Sequence, residues 1–138
     1  MSSVRKKDQS PNRFTVLDRC LDLYEHTCVV IANPKFDECR SLKERIADES
    51  SLIYHYCRSA NEDYDNRDQA GAKMRIDLQI KALERCRWLK TYIRLAQRRL
   101  HLRAKKCIFW NSLINKAEEC IKAWNTSEKR LYKEKYGL

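Results

Sequence analysis

One apolar series runs from Cys107 to Trp124: Cys107, Trp110, Ile114, Ala117, Ile121 and Trp124, each three or four residues after the last. Steps of three and four return a side chain to the same face of an α-helix, so this spacing predicts a long helix with one buried stripe. The cadence recurs in Ala82, Cys86, Leu89, Ile93, Ala96 and Leu100, and again in Leu17, Leu21, Tyr24, Cys28 and Ile31. A fourth series comprises Cys39, Leu42, Ile46, Ser50, Ile53, Cys57 and Ala60. No stretch alternates polar and apolar residues for long enough to be a strand. Two Gly and two Pro in 138 residues are also too few for the turns a sheet protein needs.

The breaks between the series set the topology. Asn33-Pro34 ends the first helix, because Pro has no amide hydrogen and restrains the residue before it. Asp37 is placed to cap the second helix and oppose its dipole. The polar run NEDYDNRDQAG, residues 61–71, reads as a loop. The third helix is expected from about Asp68 to Leu100, with Ile76, Ile80 and Leu83 on a different face of its first half. His101-Leu102-Arg103 forms the last turn. Four amphipathic segments with short connections predict an all-α fold, an antiparallel up-down-up-down four-helix bundle over residues 13–126. Residues 1–12, with three bases and one acid, read as a flexible basic tail, and residues 127–138 as a polar, frayed one.

Charge is distributed unevenly along this scaffold. The chain carries a net +10, yet residues 37–84 hold 11 acids against 8 bases. From Arg85 to Lys106 there are nine bases and no acid: Arg85, Arg87, Lys90, Arg94, Arg98, Arg99, Arg103, Lys105 and Lys106. Like charges one helical turn apart repel, so a merely solvated face would intersperse acids. Arg outnumbers Lys six to three here, and guanidinium forks match phosphate oxygens and stack on bases. These nine residues form the candidate polyanion-binding set. On the third helix, Arg87, Arg94 and Arg98 fall about 120–160° from the apolar stripe, with Lys90 at their edge. Trp88, Tyr92 and Leu95 fall about 220–280° away and make a second apolar face, which reads as a subunit contact.

Other classes of function find little support. The seven cysteines are odd in number, follow no apolar signal segment and fall mostly on the predicted stripes, as expected of core residues in a reducing cytoplasm. The longest apolar run, CVVIA at 28–32, is too short to cross a bilayer. His26 and Cys28 do not share a helix face, and there is no CxxC, so no metal site is expected. His55 sits between Tyr54 and Tyr56 as a packing residue. The adjacent pairs Asp48-Glu49 and Glu118-Glu119 point to different sides, and Glu-x-x-His is missing. The expectation is a non-enzymatic protein without cofactor or metal.

The stretch TYIRLAQRRLHLRAKKCIFWNSLINKAEECIKAWNTS, residues 91–127, resembles the C-terminal half of the accessory variability determinant proteins of diversity-generating retroelements. Those belong with the four-helix-bundle proteins encoded in ribosomal RNA intervening sequences. LYEHTCVVIANPKF, residues 23–36, is similar to the family's first helix and its Pro-Lys turn, and SANEDYDNRDQA, residues 59–70, to its Ala-Asn…Arg-Asp connection. Where the family often has Gly-Gly before its last tryptophan, Lys122-Ala123 stand here. The resemblance covers residues 14–127 and implies a homopentameric barrel that binds a reverse transcriptase and its template RNA, supporting mutagenic cDNA synthesis carried out by that enzyme. The alternative is an RNA- or ribosome-associated oligomer of the intervening-sequence type, with no polymerase partner.

Overall fold

In the computed structural model, which describes residues 13–138, the helix boundaries fall at the chain's own stop signals; the basic tail expected over 1–12 lies outside the described residues. The four α-helices are α1 (Arg13–Ile31), α2 (Arg40–Glu62), α3 (Gln69–Leu100) and α4 (Ala104–Tyr136), and no strand occurs among the described residues. A six-residue 3-10 turn, Pro34–Cys39, joins α1 to α2. Asn33 opens that turn by accepting a hydrogen bond from the Lys35 amide at 3.0 Å. Asp37 is therefore inside the turn and pairs with Lys43 at 3.0 Å, rather than capping α2, whose first residue is three positions further on. Asp68 caps α3 by accepting from the Gly71 amide at 2.7 Å. Gly71 is required there, because a β-carbon would collide with the Asp65 carbonyl. His101 ends α3 in the left-handed region (φ 55°), and the Leu102 amide reaches back to the Gln97 carbonyl at 3.2 Å. That closes the helix in the manner of a Schellman turn, with Leu102 buried beneath it.

α1 packs on α2 and α4, and α3 packs on the same two, so α1 and α3 stand at opposite corners of the bundle. Partners between α3 and α4 run in opposite senses: Arg75 meets Glu128, and further along α3 Lys90 meets Glu118. The stripes expected on α3 and α4 are buried throughout, as is that of α2 except for half-buried Cys39. Burying each large aliphatic side chain stabilises by about 1.5–3 kcal/mol, and these stripes supply most of the core.

α1 departs from expectation. Its buried face is Val16, Cys20, Leu23, Thr27 and Val30, one position before the predicted series; of that series only Ile31 is buried. Leu21, Tyr24 and Cys28 are exposed. Both series step by three and four, so periodicity cannot choose between them. The choice falls to Thr27, whose hydroxyl accepts a hydrogen bond from the Trp110 indole at 3.0 Å, both groups being fully buried. Phe36 meets Trp110 edge-on, ring centroids 6.4 Å apart, and seals this end of the bundle.

The opposite end is held by charge. Arg75, near the start of α3, is buried, and its Nη1 donates to the carbonyls of Ala60 (2.7 Å), Asn61 (3.3 Å) and Tyr64 (3.2 Å). A cation thus sits at the carbonyl end of α2, where the helix dipole favours it. Arg75 also donates through Nη2 (2.7 Å) and Nε (3.1 Å) to Glu128. Glu128 further accepts from Gln79 (2.9 Å), Trp124 (3.0 Å) and Tyr132 (3.0 Å). The polar tail expected over 127–138 is accordingly the continuation of α4, with Tyr132 only 1% exposed. Its polar residues are held because Glu128 answers a buried charge. The first half of α3 follows the same logic: Arg75 and Gln79 are buried, while Ile80 is exposed and Ile76 and Leu83 only partly covered.

Burial pushes the Glu128 carboxyl up, but its hydrogen bonds and charge pairing with Arg75, helped by Gln79 and Tyr132, outweigh this and hold it below the usual range. A lowered folded value means that the stabilisation is present above the unfolded value and lost as pH falls through the folded one. Glu128→Gln is expected to cost about 3 kcal/mol at neutral pH. The gap to the natural protein should narrow below about pH 4. Urea unfolding at the two pH values checks this, and a gap independent of pH would deny the carboxylate charge its role.

Candidate nucleic-acid interface

The nine bases of the acid-free run divide by environment. Arg85 is half-buried and donates to Glu49 of α2 at 3.1 Å. Lys90 is half-buried and donates to Glu118 of α4 at 2.8 Å. Their charges are answered by neighbouring helices that a count along one segment does not see. Burial raises the Glu49 carboxyl, with Arg85 pulling the other way. The other seven, Arg87, Arg94, Arg98, Arg99, Arg103, Lys105 and Lys106, are exposed, and none forms an ion pair among the described residues.

These seven are held in two groups. Arg87, Arg94 and Arg98 share the outer face of α3, turned toward the α4 side, where Lys90 reaches Glu118. Lys122 of α4 adds a further exposed cation there: its charge and that of Lys90 both bear on the thiol of Cys86, which burial pushes up. The second group surrounds the α3–α4 turn. Arg98 and Arg99 occupy the last turn of α3, where the dipole favours cations. Lys105 and Lys106 occupy the first turn of α4, where it does not. That turn contains no acid, and Arg103 at its cap makes no side-chain capping bond. Free amides and unpaired cations thus converge at one place, the arrangement that anions stabilise. Exposed Asp18, Asp22 and Glu25 of α1 lie at the opposite corner, so the bundle is electrically polarised.

The second apolar face of α3 is divided. Tyr92 is half-buried against the core, and its hydroxyl accepts from Arg45 of α2 at 3.4 Å. Trp88 and Leu95 remain 48% and 49% exposed. Arg45 escaped the sequence reading because it lies 47 residues from Tyr92, and no spacing rule connects them. Elsewhere, Cys20, Cys57, Cys86 and Cys107 are buried thiols, whereas Cys28 is exposed beside Tyr24 rather than on the stripe; no cysteine is bridged. Among the described residues no group of three or more His, Cys, Asp and Glu is arranged to hold a metal ion. No described helix is long and apolar enough to cross a membrane. Comparison with protein-family models, curated proteins and solved structures finds no match for this chain.

The division between paired and unpaired bases has a measurable consequence. Arg85→Glu, which sets a second carboxylate against Glu49, is expected to cost on the order of 2 kcal/mol. Arg94→Glu with Arg98→Glu should leave stability within about 0.5 kcal/mol. Urea denaturation of the two variants separates them, and equal losses would contradict the division.

Proposed function

We propose that this protein is a non-enzymatic binding module that holds RNA by its phosphates for a reverse transcriptase, as the accessory variability determinant proteins it resembles do. One observation carries the reading: seven exposed cations on α3 and around the α3–α4 turn, unpaired among the described residues, two of them set against a helix dipole. Such an arrangement lacks an internal reason and gains one when phosphate arrives. Arg87, Arg94, Arg98, Arg99 and Arg103 are its principal contacts, with Lys105 and Lys106 beside them, while Arg85 and Lys90 serve the bundle first.

Assembly of copies into a ring of five, implied by the same resemblance, belongs to the proposal. Exposed Val29 and Phe109 line a hollow between α1 and α4, with Lys106 at its rim, and offer an apolar contact. Phe109→Glu is expected to reduce the assembly to single chains in analytical ultracentrifugation, and an unchanged mass would exclude this contact.

The binding function is tested by titrating a short fluorescent RNA at rising salt. Contact with three to five phosphates of a single strand gives a slope of roughly −2 to −3.5 in log affinity against log salt. Arg94→Glu with Arg98→Glu should abolish binding at moderate salt. Affinity purification from the native host then addresses the partner: a reverse transcriptase with one dominant non-coding RNA is the expected result. Ribosomal proteins in their place would favour the intervening-sequence type, and a flat salt dependence would remove the phosphate reading.

A further inference from the structure

The basic face of α3 has apolar side chains down its middle. By helical position Trp88 and Leu95 lie between Arg87, Arg94 and Arg98 on the side of α4 and Arg85 and Arg99 on the side of α2. Glu84, one turn before Trp88, bounds this acid-free surface. The Trp88 ring stacks on Tyr92, centroids 5.8 Å apart and planes inclined by 28°. Tyr92 is in turn held by Arg45, whose guanidinium lies 5.9 Å from the ring centre. The indole is therefore propped in place by a half-buried neighbour while 48% of the residue stays open to solvent.

An exposed tryptophan on a helix is usually a protein contact, and the sequence alone reads this one so. The surroundings argue otherwise. A second copy docked by this same face would bring rows of arginine against rows of arginine. A nucleic-acid duplex would satisfy the arginines and leave the indole without a partner, since its bases are already stacked on one another. A single strand satisfies both, its phosphates on the cations and an unpaired base on the ring.

We propose that the α3 face takes single-stranded in preference to duplex nucleic acid, with Trp88 stacking on an unpaired base while Arg87, Arg94 and Arg98 hold the flanking phosphates. The inference rests on the phosphate-binding reading above and adds the strand state of the ligand.

Trp88 reports on itself, because the other two tryptophans, Trp110 and Trp124, are 0% and 6% exposed. The probes are an oligouridylate of about twenty nucleotides and a blunt RNA duplex of the same length, titrated into the full chain with tryptophan fluorescence recorded. The uridylate is expected to quench the emission and the duplex to leave it unchanged. Trp88→Ala should weaken uridylate binding about tenfold or more and leave duplex binding as it was. Trp88→Phe, which keeps a stacking face, should retain most of the affinity, and circular dichroism confirms the helical fold of both variants. Equal uridylate affinity for the natural protein and Trp88→Ala overturns the proposal, with phosphate binding intact. Loss of self-association in Trp88→Ala with unchanged uridylate binding also overturns it, assigning the face to a second copy. Failure of the natural protein to bind either probe defeats the phosphate-binding reading itself and this inference with it.

Discussion

The guanidinium of Arg75, buried where α2 ends, sets conditions that the rest of the bundle has to meet. A buried cation needs its donors satisfied and its charge answered, and three backbone carbonyls and Glu128 do so. Glu128 brings the last turns of α4 with it. The same segment is tied to the α2–α3 connection through the Tyr136 hydroxyl, which donates to the Asn66 carbonyl at 2.6 Å. One ionic contact therefore joins the end of α2, the start of α3 and the end of α4. At the other end a hydrogen bond inside an aromatic cluster, Trp110 to Thr27, does the equivalent for α1. Between these two anchors the stripes are apolar and interchangeable in kind. The anchors decide which faces turn inward.

That choice determines what is left outside. With Ile93 and Ala96 in the core and Lys90 engaged by Glu118, α3 must present Arg87, Arg94 and Arg98 to solvent. The α3–α4 turn then places two more cations against an uncapped helix start. Such a surface is a cost to the isolated bundle in both repulsion and dipole alignment. Binding a polyanion removes both costs together, which ties the charge distribution of the fold to the proposed role. The stacked pair Trp88 and Tyr92 sits on the same helix, so the aromatic surface and the cations are positioned by one rigid element.

Much of this architecture was legible in the sequence. The buried stripes of α4 and of α3 from Ala82 onward are the ones expected, because each is the longest series at helical spacing in its segment, and the helices stop at Pro34, within the 61–71 stretch and at His101. The exposed arginines were legible for the same reason, since their angular offset from a well-defined stripe places them outside. α1 was not, because it carries two apolar series one residue apart, and the one that wins contains Thr27, which a hydrophobic count passes over. The last turns of α4 were missed for a related cause: polar residues such as Glu128 and Tyr132 look solvated until their partner on α3 is known.

What the sequence determined by itself is the set of four helices, their order and the concentration of charge on the third, because these follow from local spacing and turn chemistry. Only the tertiary structure decided which face of α1 is inside, which acids answer Arg85 and Lys90, and how far α4 continues. Each of those depends on a polar partner tens of residues away, whose contribution appears only when burial removes water as the competing one.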